Sequence, residues 1–285
     1  MNDIYKCTRS GRNLQVMAAC YCEPPQTFTS PVRSIIASIR EVAPTQKIFL
    51  LGTYFNDSLR YKVEYDLLVL VEAAPKRQMF QYEQGISNRC KPFAQVMASV
   101  EETDRALKKI NQGNIFFNRM CHPGNLIYDS IDLNIPFQNL SREVIPYDSL
   151  IAEFRYLLFK GEGFLSGAIN YSESKNYPLA AFMLHQAVEQ ALNAFLTPLM
   201  GYRLQTHNLN KLFCYARRFP THFRDLFPIN CDAENHLYQT LHKAYIWGRY
   251  RCNFKVSQEA ICVLIDRVKL LLVMAEDSFY HCLYN

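Results

Sequence analysis

The stretch KIFLLGTYFNDSLRYKVEYDLLVLVE, residues 47–72, decides how the first half of this chain folds. A short apolar run, Ile48 to Leu51, reads as a strand that ends on a turn at Gly52-Thr53. A polar excursion follows, and Glu64-Tyr65-Asp66 leads into a second apolar strand reaching Val71. Side chains alternate faces along a strand, so Glu64 and Asp66 point to one side, about 7 Å apart by strand rise. Two carboxylates so placed can share divalent cations with a ligand's phosphates. A Gly-Thr turn lets backbone N–H groups and a hydroxyl approach a phosphate, because glycine has no Cβ. The plainer alternative is a solvated strand start, which the uninterrupted apolar run after Asp66 argues against.

Working outward, residues 32–41 carry Ile35, Ile36 and Ile39 at helical spacing. A Pro-Lys-Arg loop then leads to a helix near residues 79–88, and Pro92 opens a third strand over residues 93–100. Thr103 reads as the N-cap of a helix that Gly113 ends. Residues 1–30, with Pro24-Pro25, read as an arm, and residues 134–148, with two prolines and no period, as a linker. From residue 149 onward only helical periodicity remains. Pro178 starts one helix that Pro198 is expected to stop, and shorter and longer helices follow over residues 209–217, 235–250 and 257–280. The fold class expected is α+β: a small mixed sheet with helices over residues 31–133, then an antiparallel all-α bundle over residues 149–285.

At residues 47–72 the chain resembles the minimal nucleotidyltransferases of the polymerase-beta-like superfamily. Gly52-Thr53 stands where that family has Gly-Ser, and Glu64-x-Asp66 where it has Asp-x-Asp before Leu-Leu-Val. The later segment GNIFFNRMCHPGNLIYDS, residues 113–130, resembles the end of that domain. The resemblance implies Mg2+ held by Glu64 and Asp66, triphosphate bound at Gly52-Thr53, and transfer of a nucleoside monophosphate from an NTP to a hydroxyl. The acceptor would be a protein, an RNA or a small molecule. One departure is plain: the family's third carboxylate belongs on FAQVMASV, residues 93–100, where Gln95 and Ser99 are the only polar residues.

The second half resembles a HEPN domain. Its marks are the helix YPLAAFMLHQAVEQALNAFL, the turn Thr206-His207-Asn208-Leu209, and KAYIWGRY near a helix end. Minimal nucleotidyltransferases and HEPN domains occur together, fused or as toxin–antitoxin partners, so each resemblance supports the other. It implies a homodimer through the bundle. Ribonuclease members carry an arginine followed four to six residues later by histidine. From Arg249 those positions hold Phe254, Lys255 and Val256, and from Arg251 they hold Val256, Ser257 and Gln258. The general acid–base that RNA cleavage needs is absent there. Arg249 and Arg251 are candidate phosphate contacts, with complementing the negative end of their helix as the alternative. His185 and Glu189, one helical turn apart, are a possible metal pair or a packed pair, and His207 reads as structural.

Composition bounds the rest. Hydrophobic residues are 49% and charged residues 20%, enough to bury a core, and no apolar run reaches the length of a membrane span. A cytoplasmic protein is expected, and its ten cysteines read as reduced thiols. The net charge of +5 is spread evenly between the halves, so no basic tail marks a nucleic-acid footprint. Three functions therefore compete: an Mg2+-dependent nucleotidyltransferase, a degraded module that binds nucleotide or RNA, and a residual ribonuclease.

Overall fold

The computed structural model describes residues 30–55, 63–130 and 145–285; the expected arm and most of the expected linker lie outside them. In the first half, α1 (Ser30–Val42) leads into β1 (Thr45–Phe55), then β2 (Val63–Val71), α2 (Lys76–Cys90) and β3 (Gln95–Glu102). Next come α3 (Thr103–Asn111), the short α4 (Ile115–Met120) and β4 (Leu126–Asp129). The strands form one mixed sheet in the order β3-β2-β1-β4, with β2 and β3 parallel and β1 antiparallel to both neighbours. Thr103 is not the cap of α3 but its first residue. Its hydroxyl donates to the Val71 carbonyl at 3.1 Å, tying the helix to the sheet.

Strand parity divides the core. Leu67, Val69 and Val71 point toward Ile35 and Ile39 of α1 and Ile86 of α2. Leu68 and Leu70 point the other way, into a core shared with the helical half. This is why β2 reads as an unbroken apolar run: both of its faces are covered. By the same alternation Glu64 and Asp66 share the face of Leu68 and Leu70, the side on which the helical half packs.

That half consists of α5 (Tyr147–Glu173), α6 (Tyr177–Met200), α7 (Leu209–Ala216), α8 (Asp232–Tyr250) and α9 (Gln258–Tyr284). Every residue of α6 from Ala187 to Met200 is buried, so α6 is the axis around which the other helices pack. Small residues let them come close. A Cβ on Gly161 of α5 would lie 3.4 Å from the Ala187 carbonyl and 3.0 Å from Leu272 of α9. At the other end of α5, Phe154 stacks on Phe279 with ring centroids 4.1 Å apart. Asn176 caps α6 by accepting from the Leu179 N–H, as the sequence led one to expect.

Pro198 does not stop α6. It removes one backbone donor near the end of a helix that is packed on every side, and α6 continues to Met200. The stop is Gly201, in the left-handed region at φ 70°, whose N–H reaches the Thr197 carbonyl at 2.9 Å.

One apolar core runs from the sheet through α3 and α4 into α6 to α9. The two halves are therefore expected to unfold together. Leu70→Ala, made at their junction, should cost about 2–5 kcal/mol. Calorimetry should show a single transition that moves as one, and two separable transitions would show that the halves are independent.

Candidate functional site

The face of β2 carrying Glu64 and Asp66 meets the C-terminal end of α7, where two arginines follow the helix. Asp66 lies opposite Gly52 and Glu64 opposite Tyr54 across the β1–β2 ladder. Arg218 grips Asp66 with two parallel hydrogen bonds, Nε to Oδ2 at 2.9 Å and Nη2 to Oδ1 at 2.6 Å. Both side chains are 0% exposed. The same Nη2 donates to Ser99 Oγ at 3.0 Å, and Ser99 shares a 3.1 Å hydrogen bond with the Tyr215 hydroxyl. Ser99 is on β3, in the segment where the nucleotidyltransferase resemblance asked for a third carboxylate. Arg217 donates from Nη2 to Glu64 Oε2 at 2.7 Å, and its guanidinium carbon lies 3.6 Å from the Tyr54 ring centroid.

Gly52 and Thr53 lie in β1, paired with Asp66 and Tyr65, so they do not form the expected turn. The local irregularity is a register shift between Leu50 and Gly52. Glycine is required there for a different reason. The Tyr54 ring folds back over it, so that a Cβ would sit 2.9 Å from the phenol oxygen. The Tyr54 hydroxyl then donates to the Arg217 carbonyl at 3.3 Å, closing the approach to the Gly52 backbone. Thr53, one residue on, faces away from the acids.

The electrostatics follow from burial. Desolvation pushes the Asp66 carboxyl up, while the Arg218 guanidinium pulls it back. Arg218, although wholly buried, is held still further into its charged form by Asp66. Burial also pushes Tyr54 up to about 12, so its phenol stays protonated and able to donate. These side chains do not fit a magnesium ion. Both Asp66 oxygens and one Glu64 oxygen already accept from guanidinium, and among the described residues no group of three or more His, Cys, Asp or Glu could hold a metal.

In the helical half, Glu189 of α6 is buried and accepts from His207 Nδ1 at 3.0 Å. The His207 ring stacks on Tyr245 with centroids 4.4 Å apart. His185 places Nδ1 3.0 Å from the Leu241 carbonyl and Nε2 3.2 Å from that of His207, so a neutral ring can donate to only one of them. Its Nε2 is 3.9 Å from Glu189, and both side chains are engaged elsewhere, which makes them a packed pair. Burial lowers the His185 pKa to about 4.

The two candidate arginines of α8 part company. Arg249 donates from Nε to the Tyr245 carbonyl at 2.9 Å and lies over the Tyr245 and Phe182 rings. Arg251 lies 4.2 Å over Trp247 and lines a cavity of about 290 Å³. Sequence reasoning missed Arg217 and Arg218. The only signal was a tandem arginine after a short helix, and nothing in it named Glu64 or Asp66 as partners.

Two outcomes are expected here. Arg218→Met leaves Asp66 buried without its partner and should cost about 3–5 kcal/mol by urea denaturation. Pairing it with Asp66→Leu should recover much of that loss, because two apolar side chains then replace two charges. Separately, a folded His185 pKa below its unfolded value gives stability that is present above about pH 6.5 and lost as pH falls toward about 4. The loss should approach about 3 kcal/mol. His185→Gln should flatten that part of a stability-versus-pH curve, and an unchanged curve would assign the loss to other groups.

Comparison with known proteins adds one assignment. No curated protein matches the chain. Residues 154–277 match the HEPN family model, so the helical half of this chain carries a HEPN domain.

Proposed function

We propose that this chain is a binding module for nucleotide or RNA: a nucleotidyltransferase-like sheet without the transfer reaction, joined to a HEPN domain that pairs with a second copy. The observation that carries the reading is the doubly hydrogen-bonded Asp66–Arg218 pair, fully buried on both sides. Two-metal transfer needs carboxylates free to bind cations, and arginine stays protonated at any physiological pH, so its charge never leaves the site. A magnesium ion entering here has to displace a guanidinium fork tethered by the chain itself. Ser99 in place of an acid removes the further ligand or base that transfer uses.

The binding half of the reading draws on the HEPN domain and on cationic side chains along α8. The pairing draws on apolar side chains left exposed on α8 and α9, Ile246, Tyr250, Leu270 and Val273.

The test incubates the purified protein with α-labelled ATP, magnesium and protein, RNA and small-molecule acceptors, alongside calorimetric titration with ATP and with RNA. Binding without label transfer is the expected result. Label transfer by the wild type that disappears in Glu64→Gln would make the protein a working transferase. Glu64 is chosen because it is partly solvated and its loss spares the buried pair.

A further inference from the structure

We propose that the cavity between α8 and the segment entering α9 is the ligand site, and that it takes the phosphate groups of a nucleotide or RNA. The inference rests on the binding reading above and gives it a location. One stripe of α8 supplies His236, Thr240, Lys243 and Trp247 at helical spacing, and Arg251 continues it as the helix ends. Asn253 and Lys255 close the far side, and buried Phe254 meets the Trp247 ring edge-on at 5.9 Å.

Three positive charges, Lys243, Arg251 and Lys255, line this space and no carboxylate does. None of the three forms an ion pair among the described residues. Like charges gathered without counter-charge repel one another, and an anion relieves that repulsion. Complementing the negative end of α8 accounts for only part of the set. Such an effect fades within the last turn, whereas Lys243 sits two turns earlier and Lys255 lies beyond the helix.

The aromatic at the centre narrows the ligand. Lys243 Nζ lies 5.0 Å and the Arg251 guanidinium carbon 4.2 Å from the Trp247 ring. These cation–π contacts hold the charges in place and occupy the ring surface on which a base would stack. A volume of about 290 Å³ is at the small end of ligand sites. It suits phosphate with its sugar, whose hydroxyls Gln239, Thr240 and Asn253 can bond, and leaves the base outside. Readout at this site is therefore of backbone chemistry, with little preference among bases.

Trp247 is the only tryptophan in the chain, so its fluorescence reports this cavity directly. The experiment titrates the full-length protein with tripolyphosphate, ATP and a single-stranded RNA oligonucleotide, following Trp247 emission and calorimetry together. Binding should change the emission, weaken with salt, and fall about tenfold in Arg251→Gln and in Lys255→Gln, both made at exposed positions. A response to tripolyphosphate and ATP identifies a free nucleotide as the source of the phosphates. A response to RNA alone identifies a strand, and either supports the site. Calorimetric binding with silent Trp247 emission and indifferent variants overturns the cavity while leaving the binding reading standing. No binding of any of the three ends both.

Discussion

The joint between the two halves of the molecule rests on one buried carboxylate that cannot exist there alone. Taking an aspartate out of water costs several kcal/mol, and Asp66 is tolerable where it lies because Arg218 meets both of its oxygens. The constraint is mutual, since a wholly buried guanidinium needs an anion as much as the anion needs it. Each therefore dictates the other's position: the end of α7 has to sit over the start of β2. Apolar contacts along Leu68, Leu70 and Phe49 make the junction strong, but they tolerate sliding. The forked pair does not, and it fixes the register.

This joint uses the side chains that the nucleotidyltransferase resemblance assigns to metal. The acids are on one face, as phosphoryl transfer requires, and a glycine lies across the ladder from Asp66. What differs is the cation. Arginine brings positive charge with fixed geometry and no open coordination position, so it neutralises the acids without providing a Lewis acid. Tyr54 completes the change by covering the Gly52 backbone and holding the Arg217 carbonyl. The helical half shows a parallel division of labour. His185, Glu189, His207 and Tyr245 are knitted into packing, while Lys243, Arg251 and Lys255 remain turned toward open space.

Much of the architecture was legible from periodicity. The strand pair β1–β2, the helices of the second half and the HEPN-like order of motifs follow from apolar spacing, which is local and survives in any window of sequence. Where local signals were weak, the reading slipped. Pro198 looked like a stop, yet burial on all sides carried α6 past it to Gly201. Gly52 looked like a corner, yet it serves a close approach by its own neighbour Tyr54. Both outcomes depend on what packs nearby, and no spacing rule encodes that.

The sequence by itself determined that Glu64 and Asp66 share a face with Leu68 and Leu70, because alternation along a strand is a property of the backbone alone. It also determined an amphipathic helical second half. Only the tertiary structure decided that this face is covered, that arginines more than 150 residues away cover it, and that three scattered cations meet around Trp247. The physical reason is range. Periodicity is written between near neighbours, whereas the partner of a buried charge is chosen by desolvation, which acts through space between segments whose separation along the chain carries no signal.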